Sequence, residues 1–115
     1  MRRDARAYLW DIQQAADAIT RFLEGLDAAT FAENELVYSA VERKFEIIGE
    51  ALGHLSKVDP DLARRIPDMR DIIAFRNVLI HGYAGIDQNR VWDIAQISLP
   101  GLRTVVEELL DGFAG

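Results

Sequence analysis

Apolar residues recur at intervals of three and four through most of the chain, and this spacing restricts the fold more than any other feature. It places apolar side chains along one face of an α-helix, whereas a half-buried strand needs alternating apolar and polar residues. Four long stretches carry the helical spacing, and none shows sustained alternation. We therefore expect an all-α fold, most simply an up-and-down four-helix bundle, in a single domain spanning residues 1–115.

Capping residues predict the limits of the first helix and of the connection that follows it. The helix should begin at Asp4, whose carboxylate can accept a hydrogen bond from the first turn, and should end near Gly25. Residues 27–33 should form a connection, with Thr30 or Asn34 capping the helix that follows. Within it, Thr30 and Glu33 have the spacing of a capping box.

The second helix should start near Phe31 or Asn34 and end at Lys57. Asp59 should then cap a short extra helical turn, because a proline at the first helical position follows it. Two glycines four residues apart interrupt the second helix, and each costs about 1 kcal/mol relative to alanine there. We expect another helix to approach this bare face closely. That helix could belong to the same chain or to a second copy across a dimer seam.

The third and fourth helices should be capped by Asp68 and Asp87. The third should extend through Ile80 and the fourth to about Leu110. Pro100 lies inside the fourth helix, where it removes a backbone hydrogen bond, so we expect a kinked last helix rather than two helices.

Composition excludes several classes of protein. The 115 residues include no cysteine and two histidines, which excludes disulfide and thiolate sites and makes a histidine-rich metal centre unexpected. The net charge of −6 argues against a general nucleic-acid coat protein. The segment from Lys57 to Arg90 nevertheless has six basic residues against five acidic ones, which permits a local phosphate site. With no long apolar run and no secretory signal, we expect a cytoplasmic protein.

Four polar side chains, Arg76, Asn77, His81 and Tyr83, interrupt the most apolar segment of the third helix. Burying such groups without partners costs several kcal/mol, so they are either satisfied in the core or line a cleft. On an ideal helix Tyr83 would lie on the line of Arg76, whereas Arg76 and His81 would be roughly 140° and about 7.5 Å apart. A site that uses both needs the helix to end near Gly82, or a second chain to complete it.

The pattern Arg76-x4-His81-x-Tyr83 resembles the Arg-x4-His-x-Tyr signature of HEPN-domain ribonucleases. Further blocks are similar to the HepT-like toxin branch of that superfamily. They are residues 43–51, which resemble its second helix, and residues 77–83, 91–92 and 99–100, which resemble its C-terminal half. The similarity covers roughly residues 4–110.

This resemblance implies a HEPN-like homodimer that cleaves RNA without a metal or other cofactor. It implies the toxin component of an MntA/HepT-type toxin–antitoxin system, a type II-like arrangement classed as type VII. The implied partner is a cognate nucleotidyltransferase antitoxin, which neutralises the toxin by adenylylation (AMPylation) of Tyr83. Arg76 and His81 are the implied catalytic residues, supported by Asn77 and Tyr83.

The side chains suit metal-free RNA cleavage. RNA carries its own nucleophile, the 2′-hydroxyl, so the enzyme must supply proton transfer and a cation for the crowded phosphate. An unperturbed histidine titrates near neutral pH, which suits His81 to the first task. Arg76 stays charged and offers a planar fork to phosphate. Asn77 could orient His81 or donate a hydrogen bond, and Tyr83 is better suited as a donor than as a base.

Each of these residues also has a structural interpretation. His81 could be a satisfied interface histidine, Arg76 could pair with Glu46 or Glu50, and Tyr83 could pack at the helix end. The corresponding alternative for the whole protein is a non-catalytic interaction module. It would bind a nucleotidyltransferase partner or a nucleotide through the same cleft.

Other conspicuous side chains are expected to be structural. Trp10 and Trp92 are interpreted as core or dimer anchors rather than as platforms for stacking bases. His54 is expected at the surface or at a helix end, with no role in function.

Overall fold

The computed structural model describes residues 4–82 and 85–114, and all regular structure among them is helical. The all-α bundle that the spacing predicts is confirmed. The helices are α1 (Ala5–Phe22), α2 (Ala28–Glu33), α3 (Glu35–Val58), α4 (Pro60–Ala63), α5 (Met69–Ile80), α6 (Gln88–Asp93) and α7 (Leu99–Ala114), with a π-helical turn at Ile94–Ser98 before α7.

Helix α3 is the centre of the bundle. It packs against α1 on one side and against α5 on the other, and α1 also packs against α7. Its stripe of buried residues is therefore wide, because it faces two neighbours rather than one. The rings of Phe45 and Phe75 meet edge to face between α3 and α5, with centroids 5.5 Å apart. Within the described part of the chain, no helix is long and apolar enough to cross a membrane.

Three of the expected caps are confirmed. The side chains of Asp4, Asn34 and Asp59 each accept a hydrogen bond from the backbone N–H three residues later, at 2.9, 3.2 and 3.1 Å. Each bond satisfies a donor that the first turn of a helix leaves unpaired. Asp87 accepts from the N–H of Asn89 at 2.9 Å, so the N-terminal limit of α6 was also predicted.

The prediction that residues 27–33 form a connection is wrong, because most of this segment forms the short helix α2. The capping box lies three residues earlier than the sequence suggested, between Asp27 and Thr30 rather than Thr30 and Glu33. The Asp27 carboxylate accepts from the backbone N–H of Thr30 at 2.8 Å, and the Thr30 hydroxyl accepts from the N–H of Asp27 at 2.9 Å. The bond from the Thr30 backbone, assisted by the Thr30 hydroxyl, holds the pKa of Asp27 below its usual value.

Asp68 stands at the start of α5 but does not cap it with its side chain. Its backbone is left-handed, with φ of 58°, and its carbonyl accepts the first helical hydrogen bond, from Ile72 at 3.1 Å. Aspartate tolerates this conformation better than most residues. The sequence predicted correctly that Asp68 precedes this helix, but the prediction that its side chain caps the helix is wrong.

The irregularity expected at Pro100 takes the form of the π-helical turn just before it. The N–H of Leu99 donates to the carbonyl of Ile94, five residues back rather than four. Proline has no N–H and its ring crowds the preceding turn of an α-helix, so a wider turn relieves both problems. The helical run continues to Ala114, beyond the predicted limit at Leu110.

The two tryptophans differ in their environments. Trp92 is half-buried and packs against the ring of Phe31, with centroids 5.5 Å apart. Trp10 is 55% exposed, so it does not belong to the core, and its role as a dimer anchor stays a prediction. His54 lies at the surface as expected, stacked on the ring of Tyr8.

Candidate functional site

The polar cluster lies at the C-terminal end of α5. Arg76 and Asn77 occupy its last turns, and His81 is the residue that immediately follows it. Arg76 is half-buried, whereas Asn77 and His81 are exposed. Tyr83 lies outside the described residues.

Helix α5 ends where the sequence predicted. The N–H of His81 donates to the carbonyl of Asn77 at 3.2 Å, and the N–H of Gly82 donates to the carbonyl of Leu79 at 3.2 Å. Gly82 has a φ of 63°, the left-handed conformation that glycine adopts without a steric penalty at helix ends. The helix therefore ends between Arg76 and His81, which is one of the two conditions for a single site that uses both.

Arg76 does not form the salt bridge that was considered for it. Glu46 lies 3.9 Å from Arg43, and Glu50 lies 3.8 Å from His54. Among the residues that the structure describes, Arg76 has no ion pair. Its charge is therefore not neutralised by a neighbouring carboxylate.

The nitrogens of Arg76 have different environments. One terminal nitrogen, Nη1, donates to the side-chain oxygen of Asn77 at 3.3 Å. The Nε atom is buried, and none of the residues that the structure describes offers it a hydrogen-bond acceptor. A buried donor without an acceptor costs about 1–3 kcal/mol, and such a cost is commonly found where function requires it. With Nε shielded, the terminal nitrogens are the part of the fork available to a ligand.

The aliphatic part of Arg76 lies directly against α3. A Cβ atom built on Gly49 would be 2.3 Å from Cβ and 2.7 Å from Cγ of Arg76. The close approach predicted for the bare face of α3 is thus real at Gly49, and it occurs within one chain. Gly53 has nothing within 4 Å, so the close approach does not explain it.

A second polar contact beside this helix pair was not found from the sequence. The Gln88 side chain donates from Nε2 to Glu42 Oε2 at 2.9 Å, while its Oε1 is buried and accepts no hydrogen bond from the described residues. Glu42 precedes Gly49 by seven residues, so both lie on the face of α3 turned toward α5 and α6. No motif connects Glu42 with Gln88, and only the folded chain brings them together.

The arrangement can transfer protons and hold an anion. An exposed imidazole, an exposed amide and a guanidinium that pairs with no carboxylate of the described residues lie within six residues of one helix end. These groups match the needs of phosphodiester cleavage. No three His, Cys, Asp or Glu side chains within residues 4–82 and 85–114 are grouped so as to hold a metal ion.

Comparison with known proteins points to one family. The family model described as "Ribonuclease HepT-like" matches residues 12–109. A Methanocaldococcus jannaschii protein named "Putative RNase MJ1380" is 33% identical over 108 residues, covering 92% of this chain and 96% of its own. A Thermococcus cleftensis protein named "Probable ribonuclease HepT" is 32% identical over 109 residues, covering 95% and 98%. No solved structure matches the chain significantly.

The left-handed glycine at the helix end can be tested by substitution. We expect Gly82→Ala to destabilise the fold by about 1–2 kcal/mol, because an L side chain is strained at this φ. Gly82→Asn should cost less, since asparagine visits this region more readily. Urea unfolding measures both. An alanine variant as stable as the wild type would show that the helix end does not require the conformation described.

Proposed function

Because this chain belongs to the HepT-like ribonuclease family, we propose that it is a metal-independent endoribonuclease and the toxin of a toxin–antitoxin system. The observation that carries the mechanism is the position of Arg76 and His81 at one end of α5. A guanidinium without an ion pair within residues 4–82 and 85–114 lies on the last turns of the helix, and an exposed imidazole follows its final residue. Both are the groups that metal-free cleavage requires.

In the proposed reaction the 2′-oxygen of RNA attacks the adjacent phosphorus. A bond forms between them, the bond from phosphorus to the 5′-oxygen breaks, and a 2′,3′-cyclic phosphate results. The 2′-hydroxyl loses a proton and the departing 5′-oxygen gains one. His81 serves this proton transfer, because an imidazole can accept and donate near neutral pH.

Arg76 would stabilise the charge that builds up on the phosphate oxygens. Its terminal nitrogens are the suitable donors, because Nε is buried. Asn77 holds one of them at 3.3 Å and thereby restricts the orientation of the fork. A preorganised cation of this kind lowers the barrier because it need not reorient during the reaction. With proton transfer and charge stabilisation both supplied by side chains, the reaction does not need a metal ion.

Cleavage by the purified protein should persist in excess EDTA and leave cyclic-phosphate ends. Arg76→Ala and His81→Ala should each lower the rate by about 10²-fold or more, as expected for an oxyanion ligand and an acid–base group. Gel analysis of labelled RNA, with end-group mapping, provides the measurement. Arg43→Ala is a matched control, because Arg43 is an exposed cation on α3.

Three results would contradict this mechanism. They are a magnesium requirement, full activity in His81→Ala, and equal losses in the Arg43 control. An inactive wild-type protein that still binds a nucleotidyltransferase or a nucleotide would favour the non-catalytic interaction module.

We also propose that the protein acts as a homodimer whose interface adjoins the end of α5. Ile80, the last residue of α5, is 44% exposed and follows Arg76 by one helical turn. Ile80 is one of several exposed apolar side chains, and it is proposed as the contact because it lies beside Arg76 and His81 in the chain. This arrangement would put two copies of the cluster near one subunit boundary, as the resemblance implies.

Sedimentation or light scattering at micromolar concentration should therefore report a dimer, with a total interface of about 1,200 Å² or more. Ile80→Asp should shift the population toward monomer, because it buries a charge at the contact. Phe113→Asp, which alters another exposed apolar residue near the end of α7, serves as the control. A monomeric wild-type protein would exclude this proposal.

Regulation by a nucleotidyltransferase antitoxin is the third part of the proposal. Tyr83 is its proposed target, through adenylylation of the hydroxyl. Because α5 ends at Ile80, the alignment of Tyr83 with Arg76 on an ideal helix no longer applies. The argument rests instead on chain position, since Tyr83 is two residues from His81 and next to Gly82. A phosphodiester added there would bring negative charge to the site that must admit RNA.

Co-expression with a cognate nucleotidyltransferase should add adenylate masses that map to Tyr83 and should abolish cleavage. Tyr83→Phe should escape both effects while keeping the fold, although it loses some activity if the hydroxyl assists catalysis. Intact-mass spectrometry and peptide mapping follow the modification. Tyr38→Phe is the control for an unrelated tyrosine. Additions that persist in Tyr83→Phe would place regulation elsewhere.

A further inference from the structure

Helices α3 and α5 approach each other closely at Gly49. A Cβ atom there would be 2.3 Å from Arg76 Cβ, 2.7 Å from Arg76 Cγ and 3.4 Å from the carbonyl oxygen of Ile72. Two of these atoms are the first in the Arg76 side chain, so they cannot move aside without moving the helix or the arginine itself. Nonbonded carbons normally stay about 3.5–4.0 Å apart. Any side chain at position 49 would therefore displace Arg76 by about 1 Å or more.

The environment of the Arg76 guanidinium follows from this contact. Because the aliphatic part of Arg76 lies on the bare backbone of α3, its Nε is buried and its Nη1 lies at Asn77. Since no ion pair to Arg76 is formed by the described residues, its packing against α3 and its bond to Asn77 hold the charged group in place. Because the fold already fixes this side chain, binding a phosphate should cost it less conformational entropy than it would cost a mobile arginine.

We propose that Gly49 is a positioning residue for RNA cleavage, which acts by letting Arg76 pack against α3 with its terminal nitrogens directed to the phosphate. This inference rests on the proposed role of Arg76. Gly49 itself would not contact RNA. A glycine inside a long helix costs about 1 kcal/mol relative to alanine. At position 49 this lower helix stability accompanies the absence of a side chain, which allows Arg76 to pack against α3.

The same helix provides a matched control. Gly53 lies one turn further along α3, in the interior of the helix, but a Cβ there would have nothing within 4 Å. Both glycines lower the helix propensity of α3 equally, and only Gly49 contacts Arg76. Comparing Gly49→Ala with Gly53→Ala therefore separates positioning from a general effect on α3.

The experiment measures RNA cleavage rates for the full chain well below the unfolding temperature of each variant. Gly49→Ala should lower the maximal rate by about 10–10²-fold, because a displacement of about 1 Å has this effect at a preorganised site. Gly53→Ala should retain the wild-type rate and unfold at a slightly higher temperature. Adding Gly49→Ala to Arg76→Gly should cause no further loss, because glycine removes the guanidinium together with the Cβ and Cγ atoms that the new methyl group would meet.

A second measurement reports the position of Arg76 directly. In the wild type, the buried Nε–H of Arg76 should exchange slowly with solvent in ¹⁵N nuclear magnetic resonance spectra. In Gly49→Ala it should exchange faster, because the side chain is pushed out of its packed position. Gly53→Ala should leave this signal unchanged. A role limited to folding would not change this exchange in a variant that remains folded.

The variants separate the proposed role of Arg76 from the proposed role of Gly49. If Arg76→Ala is fully active, the proposed function of Arg76 fails, and this inference fails with it. If Arg76→Ala is impaired but Gly49→Ala is not, the function stands and the inference is overturned. An equal loss from Gly49→Ala in both backgrounds would show that Gly49 acts through another residue. If Gly49→Ala does not fold, it is combined with the stabilising Gly53→Ala, and failure of that pair would make Gly49 a packing residue only.

Discussion

The contact between α3 and α5 determines where the candidate site lies and what it can do. Phe45 and Phe75 meet edge to face at one point of this contact, and Gly49 meets the stem of Arg76 at another. The first contact is ordinary core packing. The second brings a charged side chain onto the core, and no carboxylate in the described part of the chain forms an ion pair with it. The bundle therefore stabilises a geometry that Arg76 would not adopt alone, and the stability of the helix pair is coupled to the electrostatics of the site.

The end of α5 separates the two proposed functions of the cluster. Arg76 is fixed by helix packing, whereas His81 lies beyond the last helical residue and is exposed. A charged ligand for phosphate benefits from rigidity, because its effect depends on being in place before the reaction. A proton-transfer group must instead reach reacting atoms whose positions change. The helix ends at Ile80, directly before His81, and the left-handed Gly82 turns the chain away just after it.

Much of the fold could be predicted because its determinants are local. Periodicity predicted the long helices, Asp4 and Asn34 predicted where two of them begin, and Asp59 predicted the start of the short helix α4. Helix α2 was missed because a stronger acceptor, Asp27, lies three residues before the expected cap. For the site, the motif identified the residues and Gly82 identified the helix end. The contacts of Arg76 with Gly49 and of Gln88 with Glu42 join distant parts of the chain, and no local pattern reports them.

The π-helical turn before Pro100 also has a consequence for the register of the bundle. The buried residues of the last helical run are Val91, Ala95, Leu99, Leu102, Val106 and Leu109. The first steps of this series are four residues long, and on an α-helix each would rotate the buried face by about 40°. A π turn contains more residues per turn and removes much of this rotation. The π turn thus keeps the buried faces of α6 and α7 directed toward the same core, although a proline follows directly after the start of α7.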